Sequence, residues 1–161
     1  MLRPDSIVPE IFVNDGPGAL EFYKCAFGGV EGSRMMSPDG KKLLHGELEI
    51  RGHRLFVCDE FSASEGGTCR SPRTLGGTGV RIMLEVDDAD RAVEQAVAAG
   101  ATIMIPVADM FWGARYGKLM DPYGHEWGIN QQVEQLSEAK EAEDAKRYFS
   151  TKTLSDSSRL D

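Results

Sequence analysis

MFWGARYGKLMDPYGHEWGI, residues 110–129, is the stretch on which the fold is decided. Its centre, DPYG, is a turn: Pro fixes its own φ, and Asp and Gly supply the capping and the freedom a reversal needs. FWGARYG before it supplies the arm of a hairpin, and HEWGIN after it supplies a returning strand. In HEWGIN a period of two puts His125, Trp127 and Ile129 on one face and Glu126, Gly128 and Asn130 on the other.

Working outward, VRIMLEV (80–86) is a strand with Ile82, Leu84 and Val86 toward the core and Arg81, Met83 and Glu85 away from it. DDADRAVEQAVAAGA (87–101) is a helix with an Asp-rich start and a glycine at its end, and TIMIPVADMFW is the next strand. The order is β-α-β-β-β. It occurs once before. SIVPEIFV (6–13) is a strand, and NDGPGALEFYKCAFGG (14–29) is a helix carrying Leu20, Tyr23, Cys25 and Phe27 and stopped by Gly28 and Gly29. VEGSRMMS, a PDG turn at 38–40, KLLHGELEI, an RG turn and HRLFVCDE complete a three-stranded meander. FVND at 12–15 stands opposite EVDD at 85–88.

The duplication predicts an α+β fold of paired βαβββ modules, because one helix covers one face of a four-stranded sheet and leaves the other open. Residues 1–60 form the first module, 61–78 a long polar connecting loop, 79–132 the second module, and 133–161 a polar tail. In the tail, 136–149 is a surface helix with Leu136, Ala139, Ala142, Ala145 and Phe149 on one stripe, loosening from Ser150 onward.

A formal charge of −8 argues against a nucleic-acid partner, which needs a basic face. No apolar run is long enough to span a bilayer, and MLRPDSIVPE lacks the core of a secretory signal, so a cytoplasmic protein without a membrane partner is expected. Cys25, Cys58 and Cys69 lack metal-binding spacing and read as free thiols, the first two as small buried apolar residues.

Alternation supplies the candidate site. In KLLHGELEI, Leu44, Leu48 and Ile50 share a core face, and His45, Glu47 and Glu49 share the other. Residues i and i+2 of a strand lie about 6.5–7 Å apart, so His45 and Glu47 can address one substrate atom or one ion; an ordinary solvated strand face is the plainer alternative. Glu10 and Phe12 on the first strand, Phe56, Arg81 and Glu126 line the same cleft. Arg81 either pairs with a neighbouring carboxylate or grips a ligand anion through its fork. Phe111, Trp112 and Tyr116 offer flat apolar area to a planar ligand, or simply pack across strands. His53 lies in a turn, and His125 packs beside Trp127.

EFYKCAFG (21–28), the PDG turn, HGELEI (45–50) and WGARYGKLMDPYGHEWGI (112–129), in this order on two modules, resemble the vicinal oxygen chelate superfamily and within it the PhnB-like branch. The superfamily comprises glyoxalase I, extradiol dioxygenases and the fosfomycin- and bleomycin-resistance proteins. The resemblance covers about residues 6 to 131 and implies a half-barrel cleft in each module, usually completed in a homodimer. It also implies metal-binding His or Glu side chains at positions matching Val8, Phe56, Arg81 and Gly128. None of the four present residues can ligate a cation, so no metal and no other cofactor is expected there.

Three functions follow, in this order. The first is a metal-free small-molecule binder similar to the bleomycin-resistance proteins. The second is a glyoxalase I-like lyase, an isomerase or an extradiol dioxygenase-like enzyme, using a divalent metal on a displaced set such as His45, Glu47 and Glu126. The third is a metal-free enzyme with His45 or a glutamate as general base.

Overall fold

The computed structural model describes residues 7–156. Residues 1–6, which include Ser6 and the start of the segment read for a signal, and the last five residues of the tail lie outside the described residues. Among the described residues, eight strands and four α-helices run in the order β1 (Glu10–Val13), α1 (Gly16–Phe27), β2 (Val30–Met36), β3 (Leu43–Ile50), β4 (His53–Asp59), α2 (Pro72–Leu75), β5 (Arg81–Glu85), α3 (Ala89–Ala98), β6 (Thr102–Asp109), β7 (Ala114–Met120), β8 (Glu126–Gln132) and α4 (Glu138–Asp156). The strands form two four-stranded mixed sheets, ordered β1-β4-β3-β2 and β5-β8-β7-β6. β1 runs parallel to β4 and β5 to β8, and the other pairs are antiparallel. This is the duplicated βαβββ architecture. Among the described residues no helix is long and apolar enough to cross a membrane.

The two long module helices start on the aspartates that the sequence marks. The Asp15 side chain accepts the Gly18 N–H and Pro17 stands in the first turn; the Asp88 side chain accepts the Arg91 N–H. α1 buries Ala19, Leu20, Phe22, Tyr23, Ala26 and Phe27, while Cys25 is exposed, contrary to its expected burial. Helical geometry explains this: the 22, 23, 26, 27 spacing faces inward and position 25 points off that arc. The expected core face of β3 also shifts by one at its start. Leu43 is buried and Leu44 exposed, because a register irregularity at Met35–Met36 reverses the alternation before Gly46.

Each helix covers one face of its own sheet, and α1 packs against α3, so one continuous core runs from Ile11 to Ile129. A buried carboxylate ties the halves together. Asp121 of the DPYG turn accepts the Tyr23 hydroxyl of α1 at 2.7 Å, the Trp127 indole N–H at 2.9 Å, and the backbone N–H groups of Tyr123 and His125 at 2.9 Å each. Burial pushes the Asp121 pKa upward, but the His125 ring, Trp127 and Tyr23 outweigh it and hold the group below the usual carboxylate range. His125 is buried, with its Nδ1 3.5 Å from an Asp121 oxygen and without a hydrogen-bond partner.

The connecting segment is not structureless. It holds a 3-10 turn at Ala63–Glu65 and the short α2, whose Ser71-Pro72 start is a helix-opening pair. Glu60 accepts from Ser71 N and Thr74 Oγ1, and Lys42 pairs with Glu65 at 3.0 Å.

Candidate functional site

Both sheets leave one face uncovered by helix, and the polar residues singled out by alternation sit on these faces. On the first sheet, the parallel register sets Glu10 beside Phe56 and Phe12 beside Cys58, and the antiparallel register sets Glu47 on the other side of Phe56. The His45 ring meets the Phe56 ring edge-on at 4.7 Å, and the Arg54 guanidinium lies over the Phe56 ring, 5.6 Å from its centroid. Glu47 is engaged: Arg54 approaches it at 3.8 Å, and the Ser33 hydroxyl donates to it at 3.4 Å. His45 and Glu47 therefore do share a face, with an aromatic ring as their neighbour and a guanidinium as the carboxylate's counterion. Cys58 is buried on this sheet, and its thiol is pushed up to about 11 by burial, with Glu10 and Asp59 adding to it.

On the second sheet the register groups Arg81, Glu126 and Met120 in one row, Met83, Gly128 and Lys118 in the next, and Glu85, Asn130 and Tyr116 in the third. Arg81 and Lys118 converge on one oxygen of Glu126, each at 3.2 Å, and Arg81 Nη1 reaches the Tyr116 hydroxyl at 3.5 Å. Lys118 and then Arg81 hold Glu126 below the usual carboxylate range, against the opposing effect of burial. Two cations share one anion here, so a local positive charge remains on a protein that is acidic overall. Arg81 pairs with a carboxylate as one of its two expected roles requires, and its side chain is still 42% exposed. Tyr116 is nearly enclosed, leaving Trp112, 5.8 Å from it, as the accessible flat surface at this end. Phe111 turns instead to the tail helix.

The four positions matched to metal ligands behave as their chemistry requires. Phe56 packs with His45 and Arg54, Arg81 pairs with Glu126, and Val8 lines a cavity between the modules. At Gly128 the volume of a side chain is already filled: a Cβ there would collide with Met83 Sδ and press on the Tyr116 ring. This donor set does not fit a divalent cation. Among the described residues, no group of three or more His, Cys, Asp or Glu side chains is gathered to hold one. That includes His45, Glu47 and Glu126, which are divided between the two sheets.

The division is general. Glu10, Phe12, His45, Glu47 and Phe56 lie on one sheet, Arg81, Tyr116 and Glu126 on the other, and among the described residues no strand of one sheet packs on a strand of the other. A cavity of about 720 Å³ does open between the modules, floored by Ile50, Leu55, Ile82, Leu84 and Trp127, but none of the ten candidate residues lines it. Lys118 and Met83 also belong to the site, beyond the candidate residues that the sequence nominates. The alternation that starts at Tyr116 reaches Lys118 two residues later, and Met83 was already assigned to the outward face. Arg54 alternates with Phe56 in the same way.

Three comparisons with known proteins bear on this arrangement. The family model for the Glyoxalase/Bleomycin resistance protein/Dioxygenase superfamily matches residues 3–129. An uncharacterised protein of Mycobacterium bovis is 39% identical over 132 residues, spanning 82% of this chain and 86% of the relative. Among solved structures, an Arabidopsis thaliana gene product superimposes with a TM-score of 0.62 at 31% identity, covering 78% of this chain and 97% of its own. TioX from Micromonospora sp. ML1 superimposes with a TM-score of 0.60 at 25% identity, covering 80% and 99%.

Proposed function

The chain belongs to the glyoxalase/bleomycin resistance protein/dioxygenase superfamily, and from that premise we propose that it is a PhnB-like, cytoplasmic member that binds a small organic molecule without the superfamily's usual metal. The observation that carries the reading is the contact between Met83 and Gly128. The final-strand position matched to a metal ligand is a glycine, and the Met83 thioether fills the space a side chain there would take. Val8, Phe56 and Arg81 bring no ligating atom to the other three positions, so nothing in this set polarises a substrate oxygen through an ion.

What the faces do offer is recognition chemistry. Arg81, Lys118 and the Tyr116 hydroxyl present donors beside Met83 and Trp112; His45, Glu47 and Glu10 present a second polar set around Phe12 and Phe56. Ligand sites combine this kind of apolar wall with a few convergent polar groups. One copy supplies two half-clefts on separate sheets. Pairing the first module of one copy with the second module of another gives a complete one, which makes a homodimer part of the proposal. Exposed apolar side chains on the strands, Met35 at 60% and Met83 at 47%, are the kind of surface such pairing covers.

Metal content of protein purified without added ions, measured by elemental mass spectrometry beside light-scattering mass, tests both parts. The proposal expects substoichiometric divalent metal and a mass twice 17.7 kDa. One divalent ion per protomer, lost on His45→Ala, would instead establish the enzyme reading with a displaced site. A monomer would remove the shared cleft.

A further inference from the structure

The family model ends at residue 129, and the helix α4 lies beyond it. The tail reaches the second module through the hairpin turn of β6 and β7. The Gly113 carbonyl accepts from Val133 N at 3.0 Å, Glu134 N at 2.9 Å and the Gln132 side-chain amide at 3.2 Å. Gly113 itself sits at φ +79, and any Cβ there would run into the Glu134 carbonyl, so the departing chain lies flat on the turn. Ser137 opens α4, its Oγ accepting the Lys140 N–H. Lys140 and Arg147 both pair with Asp144 within the helix. The expected apolar stripe docks only in part: Ala139 and Ala142 are exposed, Leu136 and Ala145 are half-buried, and Phe149 is exposed but within ring contact of Phe111, while Asp144 is buried and Tyr148 half-buried. The helix also continues to Asp156 instead of loosening at Ser150.

The contact made by this helix is aromatic. Phe111 lies 5.1 Å from the Tyr148 ring and 6.0 Å from Phe149. On its other side Phe111 meets Trp112 edge-on at 4.9 Å, Trp112 meets Tyr116 at 5.8 Å, and the Tyr116 hydroxyl meets Arg81 at 3.5 Å. An unbroken run of rings therefore joins the tail helix to the open face of the second sheet. Among the described residues α4 packs on no strand; this run and the Gly113 clamp both link it to the module.

We infer that α4 is part of the binding wall: Tyr148 is a positioning residue that, through Phe111, sets the Trp112 indole as the end plate of the half-cleft. The ligand class that this wall takes is a flat aromatic anion, its ring stacked on Trp112 and its charge within reach of Arg81 and Lys118. Stacking needs a plane held at a fixed angle; Tyr116 bounds the Trp112 indole on the sheet side and Phe111 on the tail side, so the angle depends on where Phe111 is held. The inference rests on the binding reading above.

The two tryptophans make it measurable in the full-length protein. Trp127 is buried and serves as an internal reference, whereas Trp112 is partly exposed. The probe is anilinonaphthalene sulfonate, a flat aromatic anion, and the readouts are its affinity and iodide quenching of tryptophan fluorescence. Tyr148→Ala is expected to raise the quenching of Trp112 at least twofold and to weaken the probe at least fivefold. Tyr148→Phe is expected to restore both, and thermal melting checks that the fold is retained. If Trp112→Ala weakens the probe and Tyr148→Ala does not, the role of the helix is overturned and the cleft reading stands. If Trp112→Ala and Arg81→Ala both leave the probe unchanged, the cleft reading falls with it.

Discussion

Tyr23 on the helix of the first module donates a 2.7 Å hydrogen bond to Asp121 in the last turn of the second, 98 residues away. The carboxylate is buried and receives four donors in all, so it acts as a polar rivet between the modules. Tyr23→Phe removes one donor and leaves the charge in place. Hydrogen bonds to charged groups contribute about 1.5–3 kcal/mol, so urea unfolding is expected to show a loss of about 2 kcal/mol. A loss under 0.5 kcal/mol would mean that the rivet carries no load.

Asp121 also predicts how stability depends on acid. Its folded pKa lies below the unfolded value of about 3.9, so its contribution is fully present above that value and is lost as pH falls through the folded pKa. The wild-type protein is expected to lose stability steeply below about pH 4 on this account. In Asp121→Asn the acid slope is expected to be shallower, at a lower plateau near neutrality. Denaturation midpoints from pH 2 to 7 give the comparison, and parallel curves would refute it.

Glu126 competes with any anion for Arg81 and Lys118. Glu126→Gln frees both cations and is expected to tighten binding of anilinonaphthalene sulfonate, whereas Arg81→Ala is expected to weaken it by about tenfold, or 1.4 kcal/mol. Fluorescence titration at two salt concentrations measures both. An unchanged affinity in Glu126→Gln would remove the second sheet's charge cluster from the site. The three exposed or half-exposed groups are not expected to add much to folding stability, because such pairs are screened by solvent.

Gly128→Ala adds one methyl group where Met83 already lies, and overpacking of this kind costs about 1–3 kcal/mol. Pairing it with Met83→Ala is expected to return part of that cost, giving a non-additive double-mutant cycle. Additive effects would mean that the two residues do not share the space.

Arg51 occupies the first turn position of the β3–β4 hairpin at φ +52, ahead of Gly52 at +78. A side chain is disfavoured in that left-handed conformation, whereas asparagine tolerates it. Arg51→Asn is expected to raise stability by about 0.5–1 kcal/mol in thermal melts, and a destabilised variant would show that the arginine has a compensating role.

Much of this architecture is legible in the chain. The repeated βαβββ order, the Asp caps and the outward face of β5 all follow from period, capping residues and turn chemistry, since these are local rules. Three features escape local rules. The Leu43-for-Leu44 exchange depends on an irregular pairing with β2, which alternation within one strand does not register. The tail helix meets Phe111 through Tyr148 and Phe149, and a contact with a ring on a hairpin turn of the second module is not written in the helix's own period. Asp121 is visible as a turn former, and three of its donors lie within six residues of it, but its role as a tie between the modules depends on the Tyr23 hydroxyl, 98 residues away. The candidate residues separate into two groups for a similar reason: alternation says which face of a sheet a side chain occupies, not which other sheet that face meets.

The segment between the modules has a mechanical consequence. It leaves β4 with Glu60 already holding Ser71 and Thr74, Lys42 grips Glu65 partway along, and Pro72 of α2 abuts Gly124 in the DPYG turn. A tether fastened at its start, middle and end behaves as a brace. Inserted residues there would introduce slack between the two sheets and disturb their mutual angle, even though the site of insertion lies on the surface and touches no ligand.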